Sequence, residues 1–300
     1  MNKILLALML CTQVFGSDKV LYGNDDRRDW YELSQSEKTM ARSVGAMVEK
    51  SYLVEGNGTY TYTEKLPTLI TRKRLCRDVK YWDQTVIGVC SGFLIGDDIL
   101  LTAGHCIDHI EDSCSNFSWV FSYNMVGPED LLNEISKEAV YNCKEVLHSK
   151  TTNRLDYAVI KLDRPVRNRS ALRLNRKASI AKGEELFTMG HPLGLPLKFA
   201  DNGKVLDKTS DFLFTASLDT FAGNSGSPVL NAKTKKVEGV LVRGKTDYAE
   251  DYDPKFGVCY TVNRCNDDGK NCSEPDGADG ESVVIIEKIF EDLRIEGVKL

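Results

Sequence analysis

Three short segments of this 300-residue chain carry side chains suited to acyl-transfer chemistry. His105 follows an apolar run in a turn of small residues, and Asp156 opens another apolar run. Ser225 has a glycine two residues before it and another directly after it. A serine hydroxyl acts as a nucleophile when a histidine takes its proton and a carboxylate holds the imidazole in one tautomer. The three residue types, in the chain order His, Asp, Ser, therefore predict a hydrolytic site.

The serine segment, residues 223–228 (GNSGSP), is the most specific of the three. Its glycines permit a tight turn in which the N–H groups of Gly223 and Ser225 point at one oxygen, the geometry of an oxyanion hole. A structural Gly/Ser turn is the alternative interpretation. Taken alone, His105 fits a structural role as well as a catalytic one, and Asp156 fits a turn residue that caps the entry to a strand.

The apolar pattern predicts an all-β chain. Short alternating or apolar runs bounded by Gly, Asn and Asp are typical of strands and turns. Helical periodicity is restricted to residues 34–49, which predict one helix, and to residues 281–293, which predict a strand that continues into a C-terminal helix. We therefore expect a β-barrel architecture with peripheral helices. The predicted strands cover residues 86–89, 92–95, 119–121, 157–162 and 237–242.

The first 16 residues have the features of a secretory signal peptide, with Lys3, an apolar run over residues 4–10 and a cleavage-like sequence before Ser17. A bilayer span needs about 20 apolar residues, and no later run approaches that length, so no membrane span is expected. Cys11 allows a lipoprotein as an alternative, which the bulky Leu10 disfavours. Removing the leader leaves eight cysteines, an even number that favours disulfides in an oxidising compartment.

Composition and charge exclude some classes of function. Hydrophobic residues make up 42% of the chain and aromatic residues 9%, which is enough for a packed core and argues against disorder. The formal net charge is −5, and no block of like charge is long enough for a nucleic-acid tail. Binding to nucleic acid is therefore not expected.

Two segments admit a metal ion as an alternative. His105 and His109 stand four residues apart and, with Cys106 and Cys114, form a candidate zinc set. Export and the His-Asp-Ser pattern disfavour that set. Residues 266–281 are acidic and glycine-rich, but their spacing matches no EF-hand loop, so a solvated surface loop pinned by a disulfide is favoured over a calcium site. We expect neither a metal nor a cofactor.

The sequence resembles the trypsin/chymotrypsin-fold serine proteases through TAGHC (residues 102–106), LDYAVI (155–160) and GNSGSP (223–228). Within that group it is most similar to the bacterial glutamyl-endopeptidase-like branch, on GNSGSP together with MGHPLGLP (189–196) and VLYGNDDR (20–27). The resemblance implies two six-stranded antiparallel β-barrels that divide near residues 165–180. It also implies a triad in the cleft between the barrels and hydrolysis of peptide bonds.

The resemblance implies a role for each residue of the pattern. Ser225 would be the nucleophile, His105 the general base and then acid, and Asp156 the carboxylate that orients the imidazole. The N–H groups of Gly223 and Ser225 would form the oxyanion hole. We expect a monomeric endopeptidase, secreted or periplasmic, that acts on polypeptide substrates.

Two other functions compete with this interpretation. A non-catalytic exported binding protein on the same fold is the first, but such proteins normally lose a triad member or an oxyanion-hole glycine, and none is lost here. An esterase is the second, and the nucleophile elbow of that class would require the chain order Ser, Asp, His. The observed order is His, Asp, Ser.

The cysteines are assigned only in part. The resemblance pairs Cys90 with Cys106, which would tie the histidine turn to the preceding strand and contribute about 3 kcal/mol in the chain-entropy model. Cys114 and Cys143 flank a predicted hairpin and are candidates for a second pair. The other four cysteines allow three connectivities. They are Cys76, Cys259, Cys265 and Cys272.

The residues that select the substrate side chain are less clearly marked. Asp219 occupies the position, six residues before Ser225, where trypsin-like enzymes have the carboxylate that receives Lys or Arg. Glutamate-specific relatives carry a histidine where this chain has Leu241, and Arg243 adds a cation nearby. A buried Asp219–Arg243 ion pair is the structural alternative. The candidate pocket residues are Asp219, Thr220, Leu241, Arg243 and Gly244.

Maturation is predicted to differ from that of trypsin-like zymogens. In those proteins a new N-terminal ammonium pairs with an aspartate just before the nucleophile, and this chain has Asn224 there. In the glutamyl-endopeptidase branch the mature chain begins near the segment that resembles Val20, so Lys19–Val20 is the predicted processing bond. The expected organisation is a signal peptide over residues 1–16, a propeptide over 17–19 and one protease domain over 20–300.

Overall fold

The structure is a computed structural model that describes residues 20–300 except 63–66, 70–73, 77–78, 131, 133, 178, 245, 256 and 274–279. The predicted signal peptide and propeptide lie outside the described residues.

In chain order, the strands are β1 (Leu21–Tyr22), β2 (Arg28–Asp29), β3 (Val44–Glu49), β4 (Leu53–Glu55), β5 (Thr59–Tyr62), β6 (Gly88–Leu94), β7 (Ile99–Thr102), β8 (Phe117–Phe121), β9 (Glu134–Ser136), β10 (Val140–Thr151), β11 (Asp156–Leu162), β12 (Glu185–Gly190), β13 (Lys198–Asp207), β14 (Leu213–Ala216), β15 (Pro228–Asn231), β16 (Val237–Arg243), β17 (Tyr248–Asp253), β18 (Gly257–Val262), β19 (Arg264–Cys265) and β20 (Glu281–Ile285). The described helices are α1 (Gln35–Ala41), α2 (His105–Asp108), α3 (Ser113–Asn116) and α4 (Ile286–Ile295), with 3₁₀ turns at Trp30–Glu32, Lys50–Tyr52, Lys137–Ala139 and Pro192–Gly194.

Two closed antiparallel barrels of six strands form the fold, as predicted. The first barrel has the strand order β10-β11-β7-β6-β3-β8. The second has the order β12-β15-β16-β20-β14-β13 and is closed by pairing of β13 with β12, while β2 adds to β13. The last strand of the first barrel ends at Leu162, and the first strand of the second begins at Glu185.

The predicted strands correspond closely to observed ones. Residues 86–89 and 92–95 contribute to a single strand, β6, which begins at Gly88, and the three later predictions lie within β8, β11 and β16. The helix predicted over residues 34–49 is wrong beyond Ala41, because α1 ends there and β3 follows. Residues 44–48 are all buried between β6 and β8, so closing the barrel outweighs the local helical pattern.

The C-terminal segment folds as predicted, with β20 running directly into α4. One face of α4 buries Ile289 and Leu293, as an amphipathic helix does. Asp292 on the same helix accepts hydrogen bonds from Lys150 Nζ of β10 at 2.7 Å and from the Tyr157 hydroxyl of β11 at 2.6 Å. A helix that follows the second barrel therefore also holds the first. Among the described residues, no helix is long and apolar enough to cross a bilayer.

Every cysteine of the described chain forms a disulfide. The two pairs suggested by the sequence are present, and one of the three open connectivities is realised by the other four cysteines. The short loop closed by the last pair begins the acidic segment 266–281, of which residues 274–279 lie outside the description. The disulfides are Cys76–Cys259, Cys90–Cys106, Cys114–Cys143 and Cys265–Cys272.

Candidate active site

His105 is the first residue of α2, three residues after the end of β7 at Thr102. The Cys90–Cys106 disulfide ties this turn to β6 of the same barrel. Cys106 Sγ also lies 3.8 Å from the backbone oxygen of Ser225 in the second barrel. The residue next to the histidine therefore contacts the residue that carries the candidate nucleophile, which brings the two segments together where the two barrels meet.

Asp156 opens β11 and is buried. Its Oδ1 accepts the backbone N–H of His105 at 3.0 Å, and its Oδ2 lies 2.9 Å from His105 Nδ1. An ionised carboxylate accepts hydrogen bonds and donates none, so Nδ1 carries the proton and Nε2 is left as the basic nitrogen. Burial alone would raise the pKa of Asp156. The hydrogen bonds from His105 and the charges of His105 and Arg243 have a larger opposite effect, so the pKa lies below its ordinary value.

The candidate nucleophile lies in a tight turn between β14 and β15. Gly223 has φ +92° and Gly226 has φ +87°, in the left-handed region that favours glycine. The backbone oxygen of Ser225 accepts the N–H of Ser91 at 2.8 Å, and the backbone oxygen of Gly223 accepts the Ser91 hydroxyl at 2.8 Å. The turn is therefore attached to β6 of the first barrel through the carbonyls of Gly223 and Ser225.

The peptide that carries the Gly223 N–H is oriented by a separate contact. The carbonyl of Ala222 accepts a hydrogen bond from the N–H of Leu193, in the turn after β12. Because C=O and N–H of a trans peptide point in opposite directions, this bond directs the Gly223 N–H away from Leu193. Preorganised backbone donors of this kind are what an oxyanion hole requires.

Ser91 is a residue that the sequence analysis did not identify. Its hydroxyl donates to Gly223 and accepts the backbone N–H of His191 at 2.9 Å, and the residue is fully buried. The available signal was a hydroxyl in the middle of an apolar barrel strand, because a buried hydroxyl is nearly always hydrogen-bonded. Nothing in the sequence indicated that its partner would be the serine turn.

Ser91→Ala leaves the Gly223 carbonyl and the His191 N–H buried and unpaired. We therefore expect it to lower kcat about tenfold to a hundredfold and to reduce the free energy of unfolding by about 1–3 kcal/mol. Steady-state kinetics and urea unfolding measure the two effects. Thr102→Val is the matched control, since Thr102 donates its hydroxyl to the Ser91 carbonyl at 2.7 Å and not to a carbonyl of the serine turn. An equal loss of kcat in both variants would contradict a specific role for Ser91.

Asp219, predicted to line the specificity pocket, instead holds the start of the described chain. Its Oδ1 accepts the backbone N–H of Tyr22 at 2.7 Å and its Oδ2 accepts that of Asp26 at 3.1 Å. The residue is buried. Burial, and then the charge of Asp26, raise the pKa of Asp219 well above its ordinary value. Both of its carboxylate oxygens are already occupied by backbone N–H groups.

The Asp219–Arg243 ion pair, which the sequence offered as a structural alternative, is not formed. Arg243 Nη2 donates to the backbone oxygen of Thr152 at 2.8 Å and lies 3.5 Å from Asp156 Oδ2, both in the first barrel. The long guanidinium side chain reaches across the cleft, whereas Asp219 is satisfied by two backbone N–H groups. The structural alternative weighed from the sequence is therefore wrong.

The remaining pocket candidates are spread over different environments. Thr220 is buried and donates its hydroxyl hydrogen bond to Glu281 Oε2 at 2.6 Å. Leu241 is buried in the core of the second barrel. Gly244 follows β16 and is half-buried.

The candidate zinc set is wrong. Ligand atoms of Cys90, His105 and Cys106 lie within 4.8 Å of one another. The two sulfurs form a disulfide with each other, and Cys114 is also in a disulfide. No thiolate is therefore left to bind a metal beside His105 and His109.

The site has a histidine and a carboxylate on one six-stranded barrel, and these face a glycine-bounded serine on the second. This arrangement defines the chymotrypsin-type serine protease fold. A family model described as the trypsin-like peptidase domain matches residues 90–240, and the chain belongs to this family.

One solved structure supports that fold, and a second is reported beside it. A Glu endopeptidase in complex with MPD is 16% identical, with 93% of this chain and 99% of that chain covered at a TM-score of 0.51. The Rv3671c protease in its inactive form is 12% identical, with 87% of this chain and 91% of that chain covered at a TM-score of 0.46. No curated protein matches the chain.

Proposed function

We propose that the protein is an exported serine endopeptidase that acts as a monomer on polypeptide substrates, with Ser225, His105 and Asp156 as its catalytic residues. One observation carries the proposal: the buried Asp156 carboxylate receives both the ring and the backbone N–H of His105. This pairing fixes the tautomer and the orientation that a general base needs. Four disulfides fit an oxidising compartment and support export.

In the acylation half of the proposed reaction, Ser225 Oγ attacks the carbonyl carbon of the scissile peptide bond. His105 Nε2 takes the hydroxyl proton, and Asp156 stabilises the imidazolium that forms. Negative charge develops on the carbonyl oxygen and is met by the N–H groups of Gly223 and Ser225. The C–N bond then breaks, and His105 returns the proton to the leaving amine.

Deacylation repeats these steps with water. The acyl group is held on Ser225 Oγ as an ester after the amine product leaves. His105 Nε2 takes a proton from water as its oxygen attacks the ester carbonyl, and it returns that proton to Ser225 Oγ as the C–O bond breaks. The products are a carboxylic acid and the regenerated hydroxyl.

A fluorophosphonate probe tests the proposal directly. Ser225 Oγ should displace fluoride from phosphorus, and the folded secreted protein should therefore carry one label, which peptide mapping assigns to Ser225. Heat-denatured protein is the control and should remain unlabelled, since the reaction needs the assembled base and oxyanion hole. A folded protein that takes no label, or takes it on another residue, would favour the non-catalytic binding protein instead.

A further inference from the structure

Arg243, at the end of β16, connects the second barrel to the first. Its Nη2 donates a hydrogen bond to the backbone oxygen of Thr152 at 2.8 Å, and the same nitrogen lies 3.5 Å from Asp156 Oδ2. Thr152 lies in the turn between β10 and β11, and Asp156 begins β11. One guanidinium group therefore contacts both ends of the segment that presents the candidate triad carboxylate.

The Asp156 carboxylate is shared between His105 and Arg243. Oδ2 lies 2.9 Å from His105 Nδ1 and also faces the guanidinium, while Oδ1 accepts the His105 backbone N–H. The side chain of Asp156 is 2% exposed and that of Arg243 is 41% exposed. A cation at the edge of a buried carboxylate interacts with it more strongly than in open water, because less solvent screens the pair.

Other charged groups surround this site without contacting the carboxylate. The Lys150 ammonium is paired with Asp292 on α4 and with Glu296 directly after it, and Asp108 accepts hydrogen bonds from two hydroxyl groups. Arg154 lies over the ring of Phe212 at 5.8 Å. Among the described residues, the charged and titratable groups on the elements around Asp156 and His105 include Asp108 on α2 and His109 directly after it, Lys150 on β10, Arg154 in the β10–β11 turn and Arg243 on β16, and of these Arg243 is the one paired with Asp156.

We propose that Arg243 is a positioning residue that acts through Asp156 and offsets part of the negative charge that favours protonated His105. The inference rests on the proposed function. A neighbouring cation disfavours the imidazolium, so His105 stays neutral and able to accept the Ser225 proton at lower pH than it would without Arg243. Arg243 thereby extends the active range to lower pH, and it is not a residue that selects the substrate side chain.

The pH profile of kcat/KM in Arg243→Gln tests this role. We expect the midpoint of the acid limb to rise by about half a pH unit, which lowers kcat/KM about threefold on that limb and changes the plateau little. Arg243→Lys keeps the charge and should shift the midpoint less. Arg154→Gln is the matched control, because it removes the same charge from an exposed arginine that does not contact Asp156, and its profile should follow the wild type.

Two results would overturn the proposal: a rise of KM in Arg243→Gln with an unchanged acid limb, or an equal shift in Arg154→Gln. The NMR titration of the His105 ring C–H provides a readout without catalysis, and its midpoint should rise by the same amount in Arg243→Gln. Wild-type protein that is labelled at Ser225 but has the same titration as Arg243→Gln would contradict only the Arg243 role. Wild-type protein without label or turnover would contradict the proposed function itself.

Discussion

Ser225→Ala is expected to lower kcat for peptide hydrolysis by roughly a million-fold while leaving the fold intact. The substitution removes the only atom that forms a bond with the substrate, so neither His105 nor the oxyanion donors can act through an acyl intermediate. The serine turn itself should persist, because its two carbonyl contacts to Ser91 involve the backbone of Gly223 and Ser225. Single-turnover kinetics on a peptide library, with circular dichroism and thermal unfolding on the same samples, measure both parts.

Ser227→Ala is the matched control for this loss. Ser227 lies in the same turn, is fully buried, and has its hydroxyl 3.4 Å from Asn224 Oδ1. It is a structural serine, so its removal should lower stability modestly and activity far less than removal of Ser225. A Ser225→Ala protein that is folded and retains more than about a thousandth of wild-type kcat would contradict the nucleophile assignment, since binding and oxyanion donors alone do not sustain such turnover.

Features that depend on neighbouring residues were predictable from the sequence. Ser34 and Glu37 form a reciprocal capping box that starts α1 where the pattern indicated. The end of that helix was not predictable, because the residues that follow are buried on both sides by β6 and β8. A strand surrounded in this way has no periodic pattern that distinguishes it from a buried helix.

Features that depend on distant residues were not predictable in this way. Asp219 accepts the N–H of Tyr22, which lies 197 residues away in the chain. Arg243 belongs to the segment predicted to form a pocket wall, yet its side chain crosses to Thr152 of the other barrel. The residue types of the proposed triad were recognisable because their chemistry is specific, whereas the contacts of Ser91 and Arg243 depend on how the two barrels face each other.

Asp156→Asn is expected to lower kcat on the order of ten-thousand-fold, with little change in KM. Asparagine has the same shape but supplies one acceptor oxygen and one donor nitrogen where the carboxylate accepts both His105 N–H groups. If the amide nitrogen faces the ring, His105 Nδ1 becomes the acceptor and the proton moves to Nε2. The nitrogen that should receive the Ser225 proton is then already protonated, and no residue stabilises the imidazolium.

Stability measurements separate this tautomer effect from unfolding. The pKa of Asp156 is lowered in the folded protein, so the stability it contributes is present at neutral pH and is lost as pH falls and the carboxylate protonates. The difference in unfolding free energy between wild type and Asp156→Asn should therefore be largest near neutrality and shrink toward acid. Asp108→Asn, which changes an exposed carboxylate on α2, should leave kcat near the wild-type value. A folded Asp156→Asn enzyme that keeps a tenth of wild-type kcat at neutral pH would show that His105 does not depend on this carboxylate.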